Sequence, residues 1–132
     1  MHPLGNKELK FAPSPQETLH TAAETGNLAA TVRYDDEKNI ASGDTLRLLT
    51  AQSNEPLGTG IVEYSAKVPV HQALETIKEH GAEYGIDDTD TLCRELNQYY
   101  SSTIKLATEV KVLLLAPTLN EPAPSRRDQT ND

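Results

Sequence analysis

Gly26 to Leu49 reads GNLAATVRYDDEKNIASGDTLRLL. The segment before it has helical character and ends at Gly26, a residue that turns left-handed after a helix at little steric cost. Ala29 to Tyr34 then alternates as a strand, with Ala30 and Val32 on one face and Thr31 and Arg33 on the other. Asp35 to Asn39 is a charged turn. Gly43-Asp44 launches a second strand, Asp44 to Ala51, with Leu46 and Leu48 on one face and Thr45, Arg47 and Leu49 on the other. A hydroxyl and a guanidinium therefore leave one face of a short strand together. The guanidinium is a planar fork suited to phosphate or a base edge; an ordinary arginine would instead pair with Asp35, Asp36 or Asp44.

Upstream, Lys7 to Ala12 is a strand with Leu9 and Phe11 turned inward. Ser14-Pro15-Gln16-Glu17 predicts a helix start, with Ser14 as cap, Pro15 at the first position and Glu17 closing a capping box. Leu19, Ala22 and Ala23 give that helix a narrow apolar face. Downstream, Ser53 to Pro56 is a turn and Gly58 to Val68 a longer strand, with Ile61, Val62 and Tyr64 for burial on two faces. Pro69 ends it. Val70, Ala73, Leu74 and Ile77 recur at helical spacing, which predicts a helix over Val70 to Glu79, stopped by His80-Gly81. Leu92, Leu96, Tyr99 and Tyr100 mark another helix, Thr89 to Tyr100, and Ala107 to Leu115 is a β-branched, apolar last strand. From Pro117 onward, prolines and a polar ending predict a disordered tail. The expected organisation is a leader (1–6), one domain (7–116) and a tail (117–132).

About five strands and three helices result, without the regular alternation that builds a parallel doubly wound sheet. The fold class is α+β: a small mixed β-barrel or strongly curved sheet flanked by two or three helices.

The chain has 132 residues and a formal charge of −8, with 36% hydrophobic residues and no tryptophan. Its core must be aliphatic. Such an acidic balance argues against a protein that coats duplex nucleic acid, which needs a basic stripe. The acidity reads first as solubility and second as adaptation to a high-salt host. One cysteine, Cys93, leaves no internal disulfide, and His2, His20, His71 and His80 have no metal-binding spacing. His71, His80 and Cys93 read as structural. No metal and no cofactor is expected. The start, MHPLGNKELK, lacks the apolar stretch of a signal peptide, and the longest uninterrupted apolar run is Val112 to Ala116. The expectation is a cytoplasmic monomer that does not engage membranes.

The ordered set Gly26, Thr31, Arg33, Gly43, Asp44, followed by helix, His80-Gly81-Ala82-Glu83-Tyr84, helix, Tyr99-Tyr100 and strand, resembles the ASCH domain of the PUA-like superfamily. The resemblance spans roughly Lys7 to Leu115. It implies a compact β-barrel with a cleft between barrel and helices, and RNA or modified-nucleoside chemistry. The expected ligand is RNA or a nucleotide-like small molecule, with Thr31, Arg33, Arg47, Glu83, Tyr84 and Tyr100 as its contacts. Some members are acetylcytidine amidohydrolases that use a lysine, a threonine and a glutamate. The enzymatic alternative is thus a hydrolase acting on a modified nucleoside or on RNA, with Thr31 and Glu83 catalytic; Leu28 stands at the lysine position, so an amine would have to come from Lys38 or Lys111. A protein-interaction module is the remaining alternative.

Overall fold

A computed structural model describes residues 7–34, 40–101 and 103–119, and of Pro13 and Ser14 the backbone only. The strands are β1 (Glu8–Phe11), β2 (Ala29–Arg33), β3 (Thr45–Thr50), β4 (Pro56–Pro69) and β5 (Glu109–Leu119); the helices are α1 (Pro13–Thr25), α2 (Val70–Glu79) and α3 (Thr89–Tyr100). The strands form one sheet in the order β1-β3-β4-β5-β2, in which β1 and β3 run parallel and every other pair is antiparallel. The sheet curls into a half-barrel, so the expected mixed α+β architecture is what the chain adopts.

The middle of β5 explains how two apolar layers can share one sheet. Val110 to Leu115 is buried throughout. Leu113 and Leu115 join Leu9, Phe11, Leu46, Leu48, Val62 and the Leu19 and Ala22 face of α1. Val110, Val112 and Leu114 join Ala30 and Val32 of β2 with Val70, Ala73 and Ile77 of α2 and Leu92 and Leu96 of α3. Each of these large side chains contributes about 1.5–3 kcal/mol when fully buried. One face of the sheet is thus covered by α1 and the other by α2 and α3.

Two irregularities bend the sheet. In β4 the register shifts between Val62 and Tyr64, so Glu63 is an extra residue. Val62 packs on the α1 side while Tyr64 packs on the α2 side, although a regular strand would point them the same way. In β3 a shift between Leu48 and Leu49 lets both consecutive leucines be buried, where strict alternation would have put Leu49 with exposed Arg47.

Several boundaries differ from the sequence reading. Helix α1 starts at Pro13 with Ala12 as N-cap and no capping side chain, not at Ser14. Proline at the first turn loses no needed donor, and the Gln16 amide donates back to the Phe11 carbonyl at 2.8 Å. Its end follows expectation: Gly26 is left-handed, φ 76°, and its N–H bonds the Ala22 carbonyl. Strand β5 runs through Pro117 to Leu119, past the boundary expected at 116. Pairing with β2 stops at Leu115, so from there β5 has an open side to which a proline nitrogen can turn. The expected leader and the remainder of the expected tail, 120–132, lie outside the described residues, as does Lys38.

Candidate functional site

The half-barrel does not close. Strands β1 and β2 are its two edges, and among the described residues no ladder joins them. The outer edge of β2 is held at one end by a short parallel bridge: Ala30 N–H donates to the Glu83 carbonyl at 2.9 Å and Glu83 N–H to the Leu28 carbonyl at 2.7 Å. At the other end Arg33 spans the gap. Its Nη2 donates to the Lys10 carbonyl of β1 at 3.2 Å, its Nε donates to Thr31 Oγ1 at 3.1 Å, and its guanidinium carbon lies 5.5 Å from the centre of the Phe11 ring. Between the two closures lies a cleft of about 460 Å³.

Five segments of the chain line it. Strand β2 contributes Ala30 to Arg33, and Lys10, Phe11 and Ala12 with the first turns of α1 form the side across the seam. The loop Tyr84 to Asp87 and the Thr91, Glu95, Tyr99 and Tyr100 side of α3 complete it. Each lining residue is there for a local reason. Arg33 is the residue at which β2 ends, on the same face as Thr31, so its long side chain can swing past the strand edge. Helix α3 begins where the Asp88 carboxylate accepts from Thr91 N–H at 2.9 Å, a bond that holds this carboxyl below its ordinary range. Asn97 then fixes the helix's far end to the next segment. Its amide donates to the Ile104 carbonyl at 2.9 Å and accepts from the Ile104 N–H at 2.6 Å.

The cleft carries two cations, Lys10 and Arg33, against two carboxylates, Asp87 and Glu95. No carboxylate among the described residues pairs with Arg33; Asp44, one expected partner, instead binds Lys7 at 2.8 Å and the Ala41 N–H at 2.9 Å. That Lys7 contact, helped by the Ala41 amide, holds the Asp44 carboxyl below the usual range. Burial pushes the Tyr84 phenol well above its ordinary value; Arg33 opposes the shift, and Glu95 and Tyr100 add to it. At the mouth, Tyr100 meets Tyr34 edge-on at 5.6 Å and Tyr99 edge-on at 4.8 Å, and Tyr99 is 66% exposed.

Of the expected site residues, Thr31, Arg33, Tyr84 and Tyr100 meet at this cleft. Arg47 does not: it sits on β3 and pairs with Glu8 at 3.0 Å. The Glu83 backbone bridges β2, but its carboxylate accepts from Asn27 at 2.7 Å and is not part of the lining. Lys111 is Arg33's cross-strand partner on β5 and is buried. The sequence reading missed Lys10, Phe11, Asp87 and Glu95, because only the curl of the sheet and the docking of α3 bring them near β2. A wider, open depression of about 650 Å³ lies beside Cys93, Asn97 and Lys105; there the Cys93 thiol and the Asn97 amide are already bonded to Ile104. Among the described residues no three His, Cys, Asp or Glu side chains could hold a metal ion, and no helix is long and apolar enough to cross a membrane.

Solved structures share this architecture. The Enterococcus faecalis protein EF3133, of the family DUF984, superposes with a TM-score of 0.60 at 14% identity over 86% of this chain and 76% of its own. The ASCH protein of Zymomonas mobilis superposes with a TM-score of 0.51 at 13% identity over 84% of this chain and 70% of its own. The fold is that of the Zymomonas mobilis ASCH protein, a mixed half-barrel flanked by helices. A Pyrococcus furiosus protein, PF0455, superposes with a TM-score of 0.52 at 11% identity over 84% of this chain and 96% of its own. No protein-family model matches the sequence, and no curated protein matches it.

Proposed function

We propose that this ASCH-like domain binds a nucleobase-containing ligand, an unstacked RNA base or a free nucleoside, in the cleft beside β2. One observation carries the reading: an exposed aromatic mouth leads into a concave site with Arg33 on one wall and Glu95 on the other. The volume, about 460 Å³, falls in the usual range for small-molecule sites. A tyrosine ring can stack a base, worth about 1–3 kcal/mol in single-strand binders. Arg33 offers a planar donor fork, and Tyr84, kept as neutral phenol by burial, can both donate and accept.

The charge balance favours one inserted base over a bound strand. Two cations facing two carboxylates give no net attraction for a chain of phosphates, and the whole protein carries −8. Binding should therefore depend weakly on salt, unlike phosphate-driven binding.

The hydrolytic alternative draws no support from the geometry. Thr31 Oγ1 accepts from Arg33, a group that cannot act as a base, and the Glu83 carboxylate is engaged with Asn27.

The test is an NMR or calorimetric titration with nucleosides and short single-stranded RNA at two salt concentrations. Shifts are expected at Thr31, Arg33, Tyr84 and Tyr100. Arg33→Ala should weaken binding by about tenfold or more, matching the loss of one base-directed contact. Shifts elsewhere, or no saturable binding at any salt, would overturn the proposal.

A further inference from the structure

Opposing walls of the cleft have opposite hydrogen-bonding character, and we infer that Glu95 makes the site select bases bearing an exocyclic amino group over uracil. The inference rests on the nucleobase reading above. Arg33, on the β2 wall, can only donate; an ionised carboxylate at Glu95, on α3, can only accept. Both line the same cleft as the Tyr84 phenol, Arg33 from the strand side and Glu95 from the helix side. Lys10 and Asp87, the other charges of the lining, belong to β1 and to the loop before α3.

The strand edge adds a second reader. Ala30 N–H points outward, to Glu83, whereas Ala29, Thr31 and Arg33 alternate toward β5. By the same alternation the Val32 N–H and C=O point outward, and Val32 lines the cleft. Among the described residues no strand pairs this edge beyond Ala30. A planar ring lying near the sheet plane would meet one main-chain donor and one acceptor there, with Arg33 and Glu95 to either side.

Base edges differ in how they answer such a site. Cytosine and adenine carry an amino group next to a ring-nitrogen acceptor, so one edge can donate to Glu95 and accept from Arg33 or Val32. Guanine has two adjacent N–H donors on one edge and two acceptors on another. Uracil has a single N–H flanked by two carbonyl oxygens. Approaching a carboxylate, it brings both oxygens' lone pairs against the negative charge. Discrimination against the wrong pattern in such contacts is of the order of tenfold or more.

The experiment is calorimetric titration of the full chain and of Glu95→Gln with cytidine, adenosine and uridine. Glu95 is exposed, so the variant should keep the wild-type far-ultraviolet circular dichroism and thermal midpoint. Wild type should bind cytidine and adenosine at least about tenfold more tightly than uridine. In Glu95→Gln the ratio should fall to about threefold or less, because an amide can turn its donor to uracil. Nucleosides that bind wild type without preference, or a preference that survives in Glu95→Gln, would overturn the inference and leave the binding proposal standing. Failure of every nucleoside to bind would overturn both.

Discussion

Replacing Gly58 by alanine should unzip one end of the half-barrel, and the size of the effect follows from the backbone. Gly58 has φ 149°, a region that side-chain-bearing residues rarely enter. Holding alanine there costs about 1–3 kcal/mol. An added Cβ would also lie 2.2 Å from the Thr118 carbonyl oxygen and 2.7 Å from the Leu119 Cα. Both are backbone atoms of β5, which a rotamer change cannot move. Relief requires β4 and β5 to separate near the Gly58–Leu119 pair, losing one or two ladder hydrogen bonds at about 0.5–1.5 kcal/mol each. The sum is about 1.5–6 kcal/mol, against a total stability of about 5–15 kcal/mol for a domain. At about 4 °C per kcal/mol for this size, the melting point should fall by about 6–24 °C. Gly60→Ala is the control. Its Cβ would meet only the Leu48 methyls at 3.4 and 3.5 Å and Leu115 Cβ at 3.6 Å, so it should change stability by less than about 1 kcal/mol. Urea denaturation followed by circular dichroism gives both values, and hydrogen exchange should show faster loss at Thr118 and Leu119 in Gly58→Ala alone. Equal stabilities for the two variants, within about 0.5 kcal/mol, would refute the reasoning.

Asn97→Ala should destabilise by about 1–3 kcal/mol, since it strips the buried Ile104 N–H of its acceptor and leaves the Ile104 carbonyl to the weak thiol donor of Cys93; chemical denaturation measures this, and a loss below about 0.5 kcal/mol would show that water replaces the amide. For Tyr84 the folded proton affinity exceeds the unfolded one, so its contribution is intact below the unfolded pKa, about 10, and is lost as pH rises beyond it. Stability should therefore fall by up to about 1.4 kcal/mol per pH unit above pH 10. Tyr84→Phe should remove that part of the slope in unfolding curves from pH 9 to 11, and an unchanged slope would contradict the burial argument.

What the sequence made legible was local. Helix α2 came out residue for residue, because Pro69 ends the strand before it and Val70, Ala73 and Ile77 share one face. The neighbourhood of Thr31 and Arg33 was legible for the same reason: strand alternation fixes which side chains travel together. Glu95 was not, since α3's apolar stripe of Leu92 and Leu96 says which face is buried but not which strand edge the neighbouring face will approach. Leu49 was misplaced by alternation because the register of its pairing with β4 shifts just after Leu48, and nothing local marks that shift; the sequence likewise left open which of Val62 and Tyr64 would face which layer, because nothing local distinguishes Glu63 as the extra residue between them. The strand's passage through Pro117 was equally hidden, because a proline's tolerance depends on where β2 stops pairing.

The bond from Arg33 to the Lys10 carbonyl has a consequence for how the molecule breathes. A ladder of many amides resists parting cooperatively, whereas a single reversible latch can release alone. The width of the gap between the first and second strands should then be the softest coordinate of the fold. The guanidinium keeps N–H donors beyond those given to Thr31 and the Lys10 carbonyl, so a guest can be held by Arg33 with the latch still closed.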